Sequence, residues 1–231
     1  MIQLSKRLQE VALLVTPGSR MADVGTDHGY VPIWLWEQGR IPSAIAMDVR
    51  EGPLGRAKEH IRVHGGGDAI EARISDGLEN LKLGECDSLV IAGMGGHLMR
   101  KILASGQALL PGIKELILQP QSDVAEVRRF LQQTDWQIVN EEMVFEEGKY
   151  YFLFRAVPGI MAYDREIWFR YGRLLLEQRH PVLREYLMKE ETTWVRIADR
   201  LRSADTEGAW ERLDEVENEL AFIREALRYF A

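Results

Sequence analysis

Acids and glycines recur in the first two thirds of the chain, each group directly behind a short apolar run. The first is Asp23-Val24-Gly25-Thr26-Asp27-His28-Gly29. Asp48 closes a second run, Ser75-Asp76-Gly77 follows a third, Gly93-Met94-Gly95-Gly96 a fourth, and Gln119-Pro120-Gln121 a fifth. A dinucleotide loop needs Gly-x-Gly-x-x-Gly, opening a helix onto a pyrophosphate. Here the glycines stand at 25 and 29, and Asp23 and Asp27 would repel a phosphate. A ligand with an ammonium or sulfonium cation and no phosphate suits the loop better. Asp48, which lies 25 residues beyond Asp23, stands where an acid accepts both hydroxyls of a ribose. Asp76 is placed to accept from the exocyclic amine of an adenine, with the Gly77 amide alongside. Adenosine joined to a cationic, sulfur-bearing amino acid is S-adenosylmethionine.

These groups need a scaffold that brings them to one edge, and the intervening pattern supplies it. Short strands are expected at Met21–Val24, 44–49, Ile70–Ile74, 88–92 and 115–119. Helices are expected at 30–38, 53–64, Gly96–Ser105 and from a cap at Asp123 to about Gln133. A closing strand pair, 136–145 and 150–156, turns over Glu146-Glu147-Gly148-Lys149. Alternating strands and helices mean a parallel sheet with helices on both faces. Ligands of such sheets bind outside the carboxyl ends of the strands, where all five groups fall.

Pro158-Gly159 marks a boundary, with residues 1–158 as one domain and 159–231 as another. Beyond it the pattern is helical. Leu213, Val216, Leu220, Ile223, Leu227 and Phe230 alternate steps of three and four, a heptad seam. Leu183, Leu187, Glu190, Trp194, Ile197 and Leu201 step in the same way, with Glu190 as a polar interruption. A turn at 203–208 would fold the two into a coiled-coil-like helical hairpin.

The bulk properties are those of a globular protein of 231 residues, 46% hydrophobic, with a formal net charge of -7. That charge argues against nucleic acid as a partner, but it is segregated. Residues 165–202 carry nine Lys or Arg against six acids, and 203–231 carry three against eight. A basic half can face a phosphate backbone even in an acidic chain. The start of the chain, with Lys6, Arg7 and Glu10, reads as an amphipathic helix and not as a signal peptide. No apolar run is long enough for a membrane span. One cysteine, Cys86, excludes a disulfide within the chain, and a cytoplasmic location is expected. His60, His64, His97 and His180 do not assemble into a ligand set by spacing, so no metal is expected.

Asp-x-Gly-x-x-x-Gly, the acid closing strand two, Ser-Asp-Gly after strand three and the closing hairpin resemble a class I S-adenosylmethionine-dependent methyltransferase. More narrowly, DVGTDHGYVP, ISDGL, IAGMGG and LILQP, with the C-terminal hairpin, resemble the bacterial TrmK family, which methylates N1 of the adenine at position 22 of tRNA. The resemblance covers nearly the whole chain. It implies a seven-stranded Rossmann-like sheet and contacts to the cofactor's methionine end from Asp23, Gly25, Thr26, Asp27, His28 and Gly29. Asp48 and Val49 would hold the ribose and border the adenine, Asp76 and Gly77 would read the adenine edge, and Gly93 and Met94 would line the transfer channel. Asp27 and His28 would be the catalytic pair, with Asp27 as the carboxylate nearest the substrate. Contacts to tRNA would fall to Lys6, Arg7, Gln119, Gln121, Arg170 and Arg173, with Arg20, Arg165 and Arg179 gripping the backbone. One position departs: an asparagine is expected after LQP, and the chain has Gln121.

Each residue also has a plainer reading. The glycines at 25 and 29 suit any tight turn, Asp48 can cap the helix behind it, and His28 can be a structural hydrogen-bonder. Trp34 and Trp36 are expected to pack. Alternatives for the whole are a methyltransferase of small molecules or proteins, with the hairpin serving dimerisation, and a non-catalytic cofactor-binding adaptor. A monomer is favoured over an oligomer.

Overall fold

The computed structural model describes residues 2–204 and 206–231. The chain forms two compact units, one ending at Ala162 and the other beginning at Tyr163, slightly beyond the boundary expected at Pro158-Gly159.

In the first unit, helix α1 (Lys6–Leu14) is opened by Ser5, whose hydroxyl accepts from the Leu8 amide, a cap that satisfies one orphan donor of the first turn. Five strands follow: β1 (Met21–Val24), β2 (Ala44–Asp48), β3 (Ile70–Ile74), β4 (Ser88–Met94) and β5 (Glu115–Pro120). Between them run α2 (Tyr30–Glu37), α3 (Glu51–Val63) and α4 (Gly96–Ser105), and α5 (Val124–Gln133) follows β5. The closing pair is β6 (Trp136–Glu146) and β7 (Lys149–Pro158). The strand order is β3-β2-β1-β4-β5-β7-β6. β7 alone runs antiparallel to its neighbours, between β5 and β6. The order reverses between β1 and β4, the place in an open sheet where the flanking loops part and leave a crevice.

Every residue of β1, β2 and β5 is buried, because helices cover both sheet faces. Helix α1 takes part in this cover. Its Val11, Ala12 and Leu14 pack with Val90, Ile117, Val144 and Leu153. That seating fixes the first turn of α1, which carries Lys6 and Arg7. Trp34 and Trp36 pack against the same core, as expected.

Two features of this unit were not legible in advance. Arg128 and Glu141 are wholly buried, with Arg128 Nη2 at 2.8 Å from Glu141 Oε1. The guanidinium sits against the Phe152 and Phe154 rings, 5.3 Å from each centroid. Asp123 stands at the start of α5 but does not cap it with its side chain. Its backbone is left-handed, with φ at 53°, and its carboxylate accepts from the Ser122 hydroxyl at 2.7 Å instead.

The second unit consists of α6 (Glu166–Tyr171), α7 (Arg173–Glu177), α8 (Pro181–Ala204) and α9 (Glu207–Leu227). The seam of α9 buries Leu213, Val216, Leu220 and Ile223 as the heptad spacing requires and adds Ala209 and Ala226, but Leu227 is only half-buried and Phe230, also half-buried, falls in the 3-10 turn beyond the helix. On α8, Leu183 and Leu187 are buried, but Ala198 takes the central place expected of Ile197. Trp194, Ile197 and Leu201 pack around Ala198 half-buried. Glu190 interrupts this stripe, and its carboxylate accepts from the Trp194 indole N–H at 3.3 Å. The turn expected over 203–208 is shorter, since α8 runs to Ala204 and α9 starts at Glu207. Asp205 lies outside the described residues. No described helix is long and apolar enough to cross a membrane.

Candidate functional site

The parallel pairing is level at the carboxyl edge. Val24, the last residue of β1, lies opposite Met47 of β2 and Ile91 of β4. The chain leaves β1 by a sharp loop whose Gly25 and Thr26 amides donate to the Met47 carbonyl at 2.8 and 2.9 Å. Gly25 has φ at 74°, a left-handed conformation that glycine adopts without cost. A Cβ there would also run into the Met94 methyl group. Asp27 adopts a left-handed backbone too, with φ at 51°, so the loop turns its side chains toward the crevice and not along a helix.

Four carboxylates surround that crevice in two distinct settings. Asp23 is buried, and its carboxylate accepts from the Thr26 hydroxyl at 2.6 Å. Burial pushes the Asp23 carboxyl up to about 6, opposed by the Thr26 bond and reinforced by Asp48. Asp48 is buried as well and is oriented by two amides, from Arg50 at 2.9 Å and from Asp27 at 3.4 Å. Asp27, by contrast, has a half-exposed side chain, 3.0 Å from Arg56 and 3.6 Å from His28 Nε2. Ion pairs this exposed contribute little to stability, which leaves Asp27 available to a ligand. Asp76 follows β3 in a turn closed by Ser75, whose hydroxyl donates to the Gly77 carbonyl at 2.9 Å.

His28 forms a small aromatic cluster with Tyr30 and His60, with ring centroids 5.1–5.5 Å apart and planes within 20°. His60 Nδ1 bonds the His28 carbonyl at 2.9 Å. His28 Nδ1 is buried without a hydrogen-bond partner.

These parts enclose a cavity of about 470 Å³. Of the residues expected to contact a cofactor, Asp23, Gly25, Thr26, Asp27, His28, Asp48, Val49, Asp76, Gly77, Gly93 and Met94 all line it. Gly29 does not. It stands behind the loop against Ala57. Gly93 and Met94 reach the cavity, but Gly96 serves packing, because a Cβ there would lie 2.5 Å from the Ser122 carbonyl. Among the expected substrate contacts, Arg7 and Gln121 line the cavity, and exposed Lys6 and buried Gln119 do not. The lining also includes Tyr30, Arg50, Leu98 and Ile102, which sequence reasoning missed. The spacing of Leu98 and Ile102 on α4, directly behind the Gly93–Gly96 turn, is the signal that could have found them.

Arg170 and Arg173 belong to the second unit. Arg170 lies between Glu166 and Glu219, at 2.9 and 2.6 Å, with its guanidinium over the Phe222 ring. Arg173 pairs with Glu177 at 2.7 Å and rests over Trp168. Arg165 pairs with Glu225 at 2.6 Å. In the first unit Arg20 is bound to Asp87 at 2.9 Å. Its guanidinium holds that carboxyl well below the usual carboxylate range. Cys86 is buried, and burial pushes its thiol up to about 12, which makes it inert. The described residues contain no group of three or more His, Cys, Asp or Glu able to hold a metal.

A seven-stranded sheet in this order, with buried acids closing β1 and β2 and a glycine turn after β4, defines a Rossmann-like methyltransferase. Residues 4–154 match the methyltransferase-domain family. The chain belongs to the tRNA (adenine(22)-N1)-methyltransferase family: it is 33% identical to the Bacillus subtilis enzyme of that name, over 98% of both chains. The solved structure of the B. subtilis m1A22 tRNA methyltransferase TrmK has a TM-score of 0.88 at 31% identity, covering 98% of this chain and 100% of that one. Streptococcus pneumoniae Sp1610, solved in complex with S-adenosyl-L-methionine, has a TM-score of 0.86 at 34% identity, covering 97% of this chain and 100% of that one.

Proposed function

We propose that the protein transfers a methyl group from S-adenosylmethionine to N1 of an adenine in tRNA, at position 22. The observation that carries this reading is the 33% identity to an enzyme of that specificity across both units, the helical hairpin included. Acids and glycines around one cavity would serve many methyl acceptors, but the shared hairpin narrows the choice.

S-adenosylmethionine supplies a methyl group on a positively charged sulfur, open to in-line attack by a lone pair. The lining of the cavity supports one assignment of the residues that hold it. Buried Asp48, oriented by two amides, accepts the ribose hydroxyls. Asp76 accepts from the adenine amine. Asp23 faces the cationic end, where its charge is attractive once the carboxyl ionises. Adenine N1 attacks with an in-plane lone pair and needs no prior deprotonation. The methylated ring then carries positive charge until its exocyclic amine loses a proton. Half-exposed Asp27 is the carboxylate placed to stabilise that charge, and His28 beside it is the nearest base. Amino-directed adenine methyltransferases carry Asn-Pro-Pro-aromatic after strand four, and Gly93-Met94-Gly95-Gly96 supplies no such group. N1 lies on the pairing edge of adenine, so the target base must leave its stack to reach the cavity.

The test is incubation with labelled S-adenosylmethionine and unmodified tRNA, followed by nucleoside analysis. N1-methyladenosine confined to position 22 is the expected product. Label in another nucleoside, or none in tRNA while the cofactor binds, would reject the reading.

A further inference from the structure

Most charged groups in the lining of the cavity are acids, yet one cation reaches into it from outside the strand-end loops. Arg7 lies on the first turn of α1, whose buried face seats it on the sheet. Its Nη1 donates to Gln119 Oε1 at 2.7 Å, and its guanidinium lies over the Tyr151 ring, 5.3 Å from the centroid. Gln119 is fully buried, and the same oxygen accepts from the Gly93 amide at 3.1 Å. The guanidinium is thus held by a neutral amide and a ring face, and the ion pairs among the described residues include none to Arg7. The other arginine in the lining, Arg50, is largely exposed and lies 4.0 Å from Asp48.

Strand order says which part of a ligand meets Arg7. The Asp48 and Asp76 loops lie at the ends of β2 and β3, on one side of β1. Gly93 and Gln119 lie on β4 and β5, on the other side. If adenosine occupies the first side, the amino-acid end of the cofactor extends toward the second. That end is a zwitterion. Its ammonium suits the acids, but its carboxylate would be repelled by them and needs a cation.

We propose that Arg7 binds the carboxylate of the cofactor's methionine moiety, and that Gln119 is the positioning residue that fixes the guanidinium without neutralising it. The neutrality of Gln119 is essential to the device. A glutamate at this position would keep the bond to Arg7 and cancel the charge offered to the ligand.

The proposal rests on the S-adenosylmethionine reading of the cavity, and the probes are chosen to separate the two. Calorimetry on the full chain compares S-adenosylmethionine with 5′-methylthioadenosine, which has the adenosine and sulfur but no amino acid. Arg7→Met should weaken S-adenosylmethionine about ten- to a hundredfold, the loss expected for a charge-assisted bond, and leave 5′-methylthioadenosine unchanged. Gln119→Glu should discriminate between the two ligands in the same direction, and it covers the case in which Arg7→Met fails to fold. Equal weakening of both ligands, or of neither, overturns the proposal. Unchanged cofactor affinity with weaker tRNA binding in Arg7→Met would assign the guanidinium to an RNA phosphate instead. If wild-type protein binds neither ligand, the reading of the cavity falls first and takes the proposal with it.

Discussion

Asp23 shows how far a side chain's chemistry is set by its surroundings. In the unfolded chain it is an ordinary aspartate. In the fold it is buried next to Asp48, and its carboxyl rises to about 6. Between the ordinary value of 3.8 and about 6, the folded protein keeps a proton that the unfolded chain has lost. Stability from this site therefore falls as pH rises through that window, and the full cost of the buried charge is present above it. Cofactor binding has the opposite sign, because only the ionised carboxylate attracts a cation. Affinity for S-adenosylmethionine, measured by calorimetry, should drop as pH falls below about 6, and Asp23→Asn should remove this dependence, holding affinity near the wild type's low-pH value at every pH. Asp48 carries a sharper expectation. Two amides already orient it, and Asp48→Ala should abolish cofactor binding at any pH. Unchanged affinity would place the ribose elsewhere.

Among the elements, α1 and the α5–β6–β7 corner do different work. α1 closes one face of the sheet and delivers Arg7 to the cavity, so a single amphipathic helix links core packing to the ligand site. The corner around Arg128 serves the fold alone. Its guanidinium and Glu141 are both wholly buried, and neutralising one partner leaves the other charge out of water without its counterion. Glu141→Gln should cost about 3–5 kcal/mol, read as a lower urea midpoint. Cofactor affinity of the remaining folded protein should not change, because the pair does not line the cavity.

At the level of the whole molecule, the second unit is where substrate RNA is expected to be gripped, and its arginines are not equivalent. Arg170 lies between Glu166 and Glu219 and over Phe222. Reversing its charge would set three acids together and destabilise the second unit, whatever its contact with RNA. Arg173 has one exposed acid as ion-pair partner, Glu177 one turn away, and rests over Trp168. Arg173→Glu should weaken tRNA binding severalfold, flatten its salt dependence by about one counterion, and leave S-adenosylmethionine affinity unchanged. Loss of both affinities together would show that the substitution damages the fold and not an RNA contact.

The carboxyl-edge groups, the strands that deliver them and the four central positions of the α9 seam were legible in the sequence. Glycine, proline and hydrophobic period act within about ten residues, and each such signal is complete in one segment. What the sequence left open lies between segments. It showed Asp23 and Asp27 as equal acids, and only the fold buries one and exposes the other. It offered Gln119 as a substrate contact, whereas the fold buries it as the holder of Arg7, 112 residues away in the chain. It expected Ile197 in a seam where the helix packing seats Ala198. Local pattern determined which elements form and in what order. Burial, charge state and the meeting of Arg7, Gly93 and Gln119 were decided by sheet order and by the seating of α1, because these bring distant residues together out of water.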